Sequence, residues 1–207
     1  MVKERYEFTE EQGLYLLKLA RFTIMRHLNL SPPAAEEEEL AARLTDPVFD
    51  VKRGIFVTLT IGGALRGCIG SLAACESVRQ GVQRHAVNAA FNDHRFPPLT
   101  VSELTKVDIE ISVLTEPRPL QFSNIDELLD RLRPGIDGVI LRRGAATATF
   151  LPQVWEQLPR VDEFMRHLCL KAGLAAEAWR QPGCTVETYQ VKYFSSSNEK
   201  SGKADFN

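Results

Sequence analysis

The sequence predicts an α+β fold, a largely antiparallel or mixed β-sheet flanked by helices. Three observations carry this expectation. Short apolar runs with a period of two recur and come mostly as hairpin pairs. Stretches with a helical period and recognisable caps are interspersed among them. No strand–helix–strand repeat demands an all-parallel sheet. At 207 residues the chain fits one domain, or one domain with a small second lobe, and can bury a core without metals or disulfides.

In chain order, Thr9-Glu10-Glu11-Gln12 reads as a capping box, a hydroxyl N-cap answered by an amide three residues on. Leu14, Leu17, Ile24 and Leu28 then mark a helical stripe reaching about His27. Ser31-Pro32-Pro33 opens a second helix with Ser31 as N-cap, and Glu36 to Glu39 sit near the positive end of its dipole. Ile55, Val57, Leu59 and Ile61 alternate with Phe56, Thr58 and Thr60, and Gly62-Gly63 turns the chain back through Ala64 to Gly70. Glu76 to Asn92 is helical, with small residues that suit close packing on a sheet. Pro97-Pro98 forces an extended exit. Val107 to Val113 alternates again, with Asp108, Glu110 and Ser112 on the polar side. A helix from Ser123 to Arg133 is capped by Ser123 and Asp126. A hairpin of 137–141 and 146–150, a short helix with Trp155, a helix from Val161 to Ala172 stopped by Gly173, and a strand from Thr185 to Phe194 complete about six strands. From Ser195 on, the polar tail (195–207) is expected to be disordered.

The chemistry concentrates in Leu65-Arg66-Gly67-Cys68-Ile69-Gly70, a cation, a thiol and two backbone-permissive glycines within six residues. Hairpin register decides where they point. A two-residue Gly62-Gly63 loop puts Arg66 opposite Leu59 and Cys68 opposite Val57, on the core face. A three-residue loop, Ile61-Gly62-Gly63, sets Leu65 opposite Leu59 and Ile69 opposite Ile55, leaving Arg66 and Cys68 together on the face of Thr58 and Phe56. The odd loop is favoured because it segregates apolar from polar residues and spares Arg66 an unpaired burial.

With 44% hydrophobic and 25% charged residues and a net charge of -2, the composition is that of an ordinary soluble protein. It gives no electrostatic reason to expect nucleic acid. The N-terminal residues lack an apolar signal core, and the longest uncharged apolar stretch, 54–65, is too short to span a bilayer, so a cytoplasmic protein with no membrane association is expected. Cys68, Cys75, Cys169 and Cys184 lack zinc-type spacing and are expected as free thiols. Neither a metal nor another cofactor is expected. The glycine spacing fits neither a P-loop nor a dinucleotide fingerprint.

Five motifs follow one another in order: the six-residue run above, Ala89-Ala90-Phe91 with Asp93-x-Arg95-Phe96-Pro97-Pro98-Leu99, Glu110-Ile111-Ser112-Val113-Leu114, Pro134-Gly135-x-Asp137-Gly138, and Ala148 to Trp155. Together they resemble the AMMECR-type domain family, also called AmmeMemoRadiSam system protein A, across about Thr9 to Phe194, and residues 1–194 are accordingly expected to form one AMMECR-type domain. The resemblance implies an α+β fold in two closely packed subdomains with the signature exposed near a cleft. It also implies gene neighbours encoding a Memo-like protein and a radical SAM enzyme, the expected partners. It brings no settled activity. The signature positions carried over are Arg66 to Gly70 with Asp93, Arg95 and Phe96. His94 stands where the family usually has proline, which argues against a family role for it.

Two readings follow. In the first, Arg66, Gly67, Gly70, Asp93, Arg95 and Phe96 bind a small anionic ligand or a partner protein, the arginines clamping a carboxylate or phosphate and the glycines admitting it to the backbone. The ordinary counterpart is an ion-pair network with Asp93, Asp108 or Glu110. In the second, Cys68 is a nucleophile or redox thiol, with Arg66 favouring the thiolate and Glu110 handling protons. Its ordinary counterpart is a cysteine packed as a small hydrophobe.

Overall fold

A computed structural model describes residues 8–196 and has the expected α+β class. In chain order its elements are α1 (Glu10–His27), α2 (Ala34–Arg43), β1 (Ile55–Ile61), β2 (Ala64–Ser71), α3 (Val78–Phe91), α4 (Val101–Leu104), β3 (Val107–Leu114), β4 (Arg118–Pro119), α5 (Ile125–Arg131), β5 (Gly138–Arg143), β6 (Ala146–Phe150), α6 (Val161–Lys171), β7 (Thr185–Tyr189) and β8 (Val191–Ser195). The chain forms two compact units, one running to Leu114 and resuming at Lys192, the other spanning Thr115–Val191.

The first unit holds a sheet in the order β2-β1-β3-β8, in which β1 pairs antiparallel with β2 and β3. Alternation in β1 and β3 sends Ile55, Val57, Leu59, Ile109 and Ile111 into a core with Leu16, Ala20, Ile24, Val82 and Ala86 of α1 and α3. The Thr9–Gln12 capping box is present in both directions, at 2.9 and 3.1 Å. Leu14, expected on the apolar stripe, is 43% exposed. The inward face runs through Gly13, Leu16 and Leu17, and the Phe194 ring lies so close that a Cβ on Gly13 would sit 1.9 Å from it. Helix α2 begins at Ala34 with Pro33, not Ser31, at the N-cap, because a residue preceding proline is disfavoured from helical conformation and Pro32 precedes Pro33. Helix α3 is shorter than expected and starts behind a Ser77–Gln80 capping box.

The second unit holds the sheet β4-β7-β5-β6, all of whose pairs are antiparallel. Its core centres on Trp155, which stacks on Phe164 at 3.6 Å and donates Nε1–H to the carbonyl of Asp137 at 2.7 Å. Asp137 is buried and takes the Arg133 guanidinium through Nε at 3.0 Å. A Cβ on Gly138 would meet the Tyr189 ring at 2.4 Å. The Pro134-to-Gly138 motif is thus accounted for by packing. Asn124, rather than Ser123 or Asp126, caps α5 by accepting from the Glu127 N–H. Gly173, at φ 74°, ends α6 as expected.

One long strand was expected from Thr185 to Phe194. The chain instead breaks at Gln190, whose N–H and carbonyl bond the Thr115 hydroxyl and N–H, each at 2.8 Å, and β7 and β8 join different sheets. Ser195 closes β8, and Ser196 exchanges hydrogen bonds with Ile109 at 2.9 Å, so order extends two residues into the expected tail. The rest of that tail lies outside the described residues.

Candidate functional site

The β1–β2 hairpin adopts neither register expected from the sequence. Its loop is the two-residue Gly62-Gly63, with φ of 58° and 80°, the paired left-handed conformation such a loop needs. Ile61 therefore faces Ala64 and Thr60 faces Leu65, but then Leu59 faces Gly67. Arg66 is the extra residue of a β-bulge. It restores the parity that the short loop would have inverted. Cys68 lies opposite Thr58 and Ile69 opposite Val57, so the thiol keeps the polar face it was expected to occupy.

Both signature glycines are held by close contacts. A Cβ on Gly67 would lie 2.1 Å from the backbone carbonyl oxygen of Ala89 in α3, and one on Gly70 would lie 2.3 Å from the Phe56 ring. Neither close approach tolerates a side chain. The glycines therefore seat the strand against α3 and Phe56.

The second motif closes on the first at the sheet edge. Strand β2 is terminal in its sheet, and the Thr58–Cys68 pair turns the Cys68 backbone groups outward. The Asp93 carboxylate accepts the Cys68 N–H at 2.9 Å, while Arg95 Nη2 donates to the Cys68 carbonyl at 3.3 Å. Arg95 also pairs with Asp93, Nε to Oδ1 at 2.9 Å and Nη2 to Oδ2 at 2.6 Å. A side-chain ion pair thus occupies the place of a neighbouring strand at this residue. The Asp93 side chain is 1% exposed and that of Arg95 47%. The Arg95 fork holds the Asp93 carboxyl well below the usual range, with help from the Cys68 N–H.

Arg66 is not on the accessible face with Cys68. It is 9% exposed, and its Nε and Nη2 donate to the two oxygens of Glu103 at 2.9 and 3.2 Å. Arg66 is brought down to Glu103 at the start of the following segment, which the bulge allows. Glu103 accepts the Thr100 N–H at 2.9 Å as well, and the Arg66 fork with this bond depresses its carboxyl to about 2. Phe96 neighbours both arginines, its ring centroid 5.9 Å from the Arg66 guanidinium carbon and 5.5 Å from that of Arg95.

On the face opposite α3, the Thr58 hydroxyl donates to Cys68 Sγ at 3.3 Å, and Glu110 faces Thr58 from β3. Cys68, Thr58 and Glu110 thus form a row across three strands, each half-buried. The structure brings Arg66, Gly67, Cys68, Asp93, Arg95 and Phe96 around one strand edge, with Gly70 two residues along and Glu110 two strands away. The carboxylates paired with the two arginines are Glu103 and Asp93. Glu103 was missed, although the Thr100-x-x-Glu103 spacing is a capping-box pattern that fixes it at a helix start. His94 is exposed. Cys169 is fully buried, and burial pushes its thiol up. Among the described residues, no three metal-ligating side chains gather, and no helix is long and apolar enough to cross a membrane.

Comparison with known proteins agrees with this frame. The family model described as AMMECR1 matches residues 17–194. Protein MK0488 of Methanopyrus kandleri is 37% identical over 91% of this chain and 90% of its own length. Protein Mbar_A1807 of Methanosarcina barkeri is 38% identical over 90% and 91%. The crystal structure of an uncharacterized protein, PH0010 from Pyrococcus horikoshii, aligns with a TM-score of 0.74 at 30% identity, covering 91% of this chain and 93% of that one.

Proposed function

The chain belongs to the AMMECR1 family, and from that premise we propose that its signature site docks an anionic group, carried by a small ligand or a partner protein, and that the domain works in the cytoplasm with Memo-like and radical SAM proteins. The observation that carries this reading is the Arg95 side chain. A guanidinium has five N–H donors. Those of Nε and Nη2 go to Asp93 and the Cys68 carbonyl, while Nη1 makes no hydrogen bond among the described residues. A buried carboxylate and a strand edge therefore fix a half-exposed cation whose Nη1 group is unspent and can donate to an oxygen of a carboxylate or phosphate. The partner assignment is supported by the gene context that the family resemblance implies.

The test is the affinity of the purified full chain for a Memo-like protein and a radical SAM enzyme from the same source. The reading expects a complex with at least one of them that Arg95→Lys weakens by about tenfold, since lysine keeps the charge and loses the fork. Equal binding by wild type and variant, or no complex with either protein, counts against it.

A second reading is favoured by the row from Cys68 through Thr58 to Glu110, in which a thiol is hydrogen-bonded to a hydroxyl that faces a carboxylate. Here Cys68 is the nucleophile or redox thiol of an enzyme. Cys68→Ser would then abolish turnover in the reconstituted three-protein system while leaving complex formation intact. Undiminished turnover rejects it.

A further inference from the structure

We infer that the anionic group taken by this site is a phosphate, held jointly by the Nη1 groups of Arg66 and Arg95 beside the Phe96 ring. The inference rests on the docking reading above and narrows it to one ligand chemistry.

The two arginines are spent in the same way. Each gives its Nε and Nη2 edge to a carboxylate, Arg66 to Glu103 and Arg95 to Asp93. Each keeps two N–H donors on Nη1. For Arg66 these donors are enclosed in protein and have no acceptor. A buried donor without an acceptor is costly, and native proteins rarely leave one, least of all on a charged group. The cost is relieved if a ligand brings the missing oxygen.

Location supports this. Both guanidinium carbons lie near one half-buried ring, at 5.9 and 5.5 Å from its centroid, so the two arginines share Phe96 as a neighbour. Two Nη1 groups on different chain segments offer four N–H donors. A planar carboxylate presents its two oxygens in one plane only. A tetrahedral phosphate spreads its oxygens in three dimensions and can meet both.

Electrostatics sets the character of the binding. Each cation is already neutralised by its own carboxylate. The site therefore attracts a phosphate through directed hydrogen bonds more than through net charge. Replacing either arginine by lysine should then cost affinity even though charge is kept.

The experiment titrates the full-length protein with inorganic phosphate and with glycerol phosphate, followed by the phosphorus NMR linewidth, with acetate as the competing carboxylate. The expected result is saturable binding of at least one phosphate, poor competition by acetate, and a loss of about tenfold or more for Arg66→Lys and for Arg95→Lys. Binding of the monoester alone points to a phosphorylated metabolite, and of both to the phosphate group itself; either supports the inference. Because Arg66→Lys could disturb folding, amide shifts of the wild-type protein on phosphate addition are read as well, and they should concentrate at 66–68 and 95–96. Lysine variants that bind like wild type, acetate that competes as an equal, or shifts spread over other residues would overturn the inference. If phosphate fails while partner binding still depends on Arg95, the phosphate assignment falls and the docking reading stands.

Discussion

Replacing Gly67 by alanine tests how the signature is built. The added Cβ would lie 2.1 Å from the Ala89 carbonyl oxygen and 3.0 Å from its carbonyl carbon. Carbon atoms of this kind do not approach within 3.0 Å, so strand and helix must separate by at least 0.9 Å. The obstacle is backbone, and no rotamer change relieves it. The separation has to be absorbed between β2, β1 and α3, where Val57, Leu59, Val82, Ala86 and Ala89 are 0–1% exposed. Overpacking of this sort costs about 1–3 kcal/mol and sometimes more. For a chain of this size that corresponds to a melting temperature lower by about 2–12 °C. Both tryptophans belong to the second unit, so tryptophan fluorescence does not report on this contact. Far-UV ellipticity does, because α1, α2 and α3 carry most of the helical residues. A Gly67→Ala protein melting within about 1 °C of wild type by ellipticity would refute the reasoning.

Further outcomes follow from the same contacts. Asp93→Asn keeps one oxygen for the Cys68 N–H and loses the charge that pins Arg95, so it should cost about 1–3 kcal/mol and speed hydrogen exchange at the Cys68 amide; unchanged exchange there contradicts the edge clamp. Acid should destabilise the first unit. The folded carboxyl of Glu103 lies at about 2 against an ordinary 4.5, and Asp93 is depressed too, so their stabilisation is complete above the ordinary carboxylate range and is lost as pH falls towards 2. Stability that stays flat between pH 5 and about 2 would argue against both pairs. Alkylation of the folded protein should label exposed Cys75 first and half-buried Cys68 next. Cys184 should follow and Cys169 come last, the latter two being slowed by burial that raises their thiol pKa. Mass spectrometry of each peptide checks the order, and early labelling of Cys169 contradicts it.

The sequence revealed what local chemistry determines. The Thr9–Gln12 box, the α+β alternation and the Gly173 stop need only neighbours a few residues away. The hairpin register needed more. Gly62-Gly63 states the loop, but nothing in Leu65-Arg66-Gly67 announces a bulge, because it is set by the carbonyl of Ala89, a residue of the following helix, arriving over Gly67. That single insertion explains why Cys68 sat on the expected face while Arg66 did not. Arg95 with Asp93 was legible as a short-range pair. Arg66 with Glu103 was not, since 37 residues separate them. The division of the last strand was hidden for a similar reason. Thr185 to Phe194 contains no proline or glycine to mark a break, and the break at Gln190 depends on Thr115.

The central claim is that the edge of β2 around Cys68, with Arg95, is a docking surface and not packing alone. Hydrogen–deuterium exchange of the full chain, free and mixed with the Memo-like and radical SAM proteins proposed as its partners, tests this most directly. The account predicts that a complex forms and that new protection concentrates in 64–71 and 93–96. A complex that protects other segments and leaves these unchanged, or no complex with either protein, would contradict it.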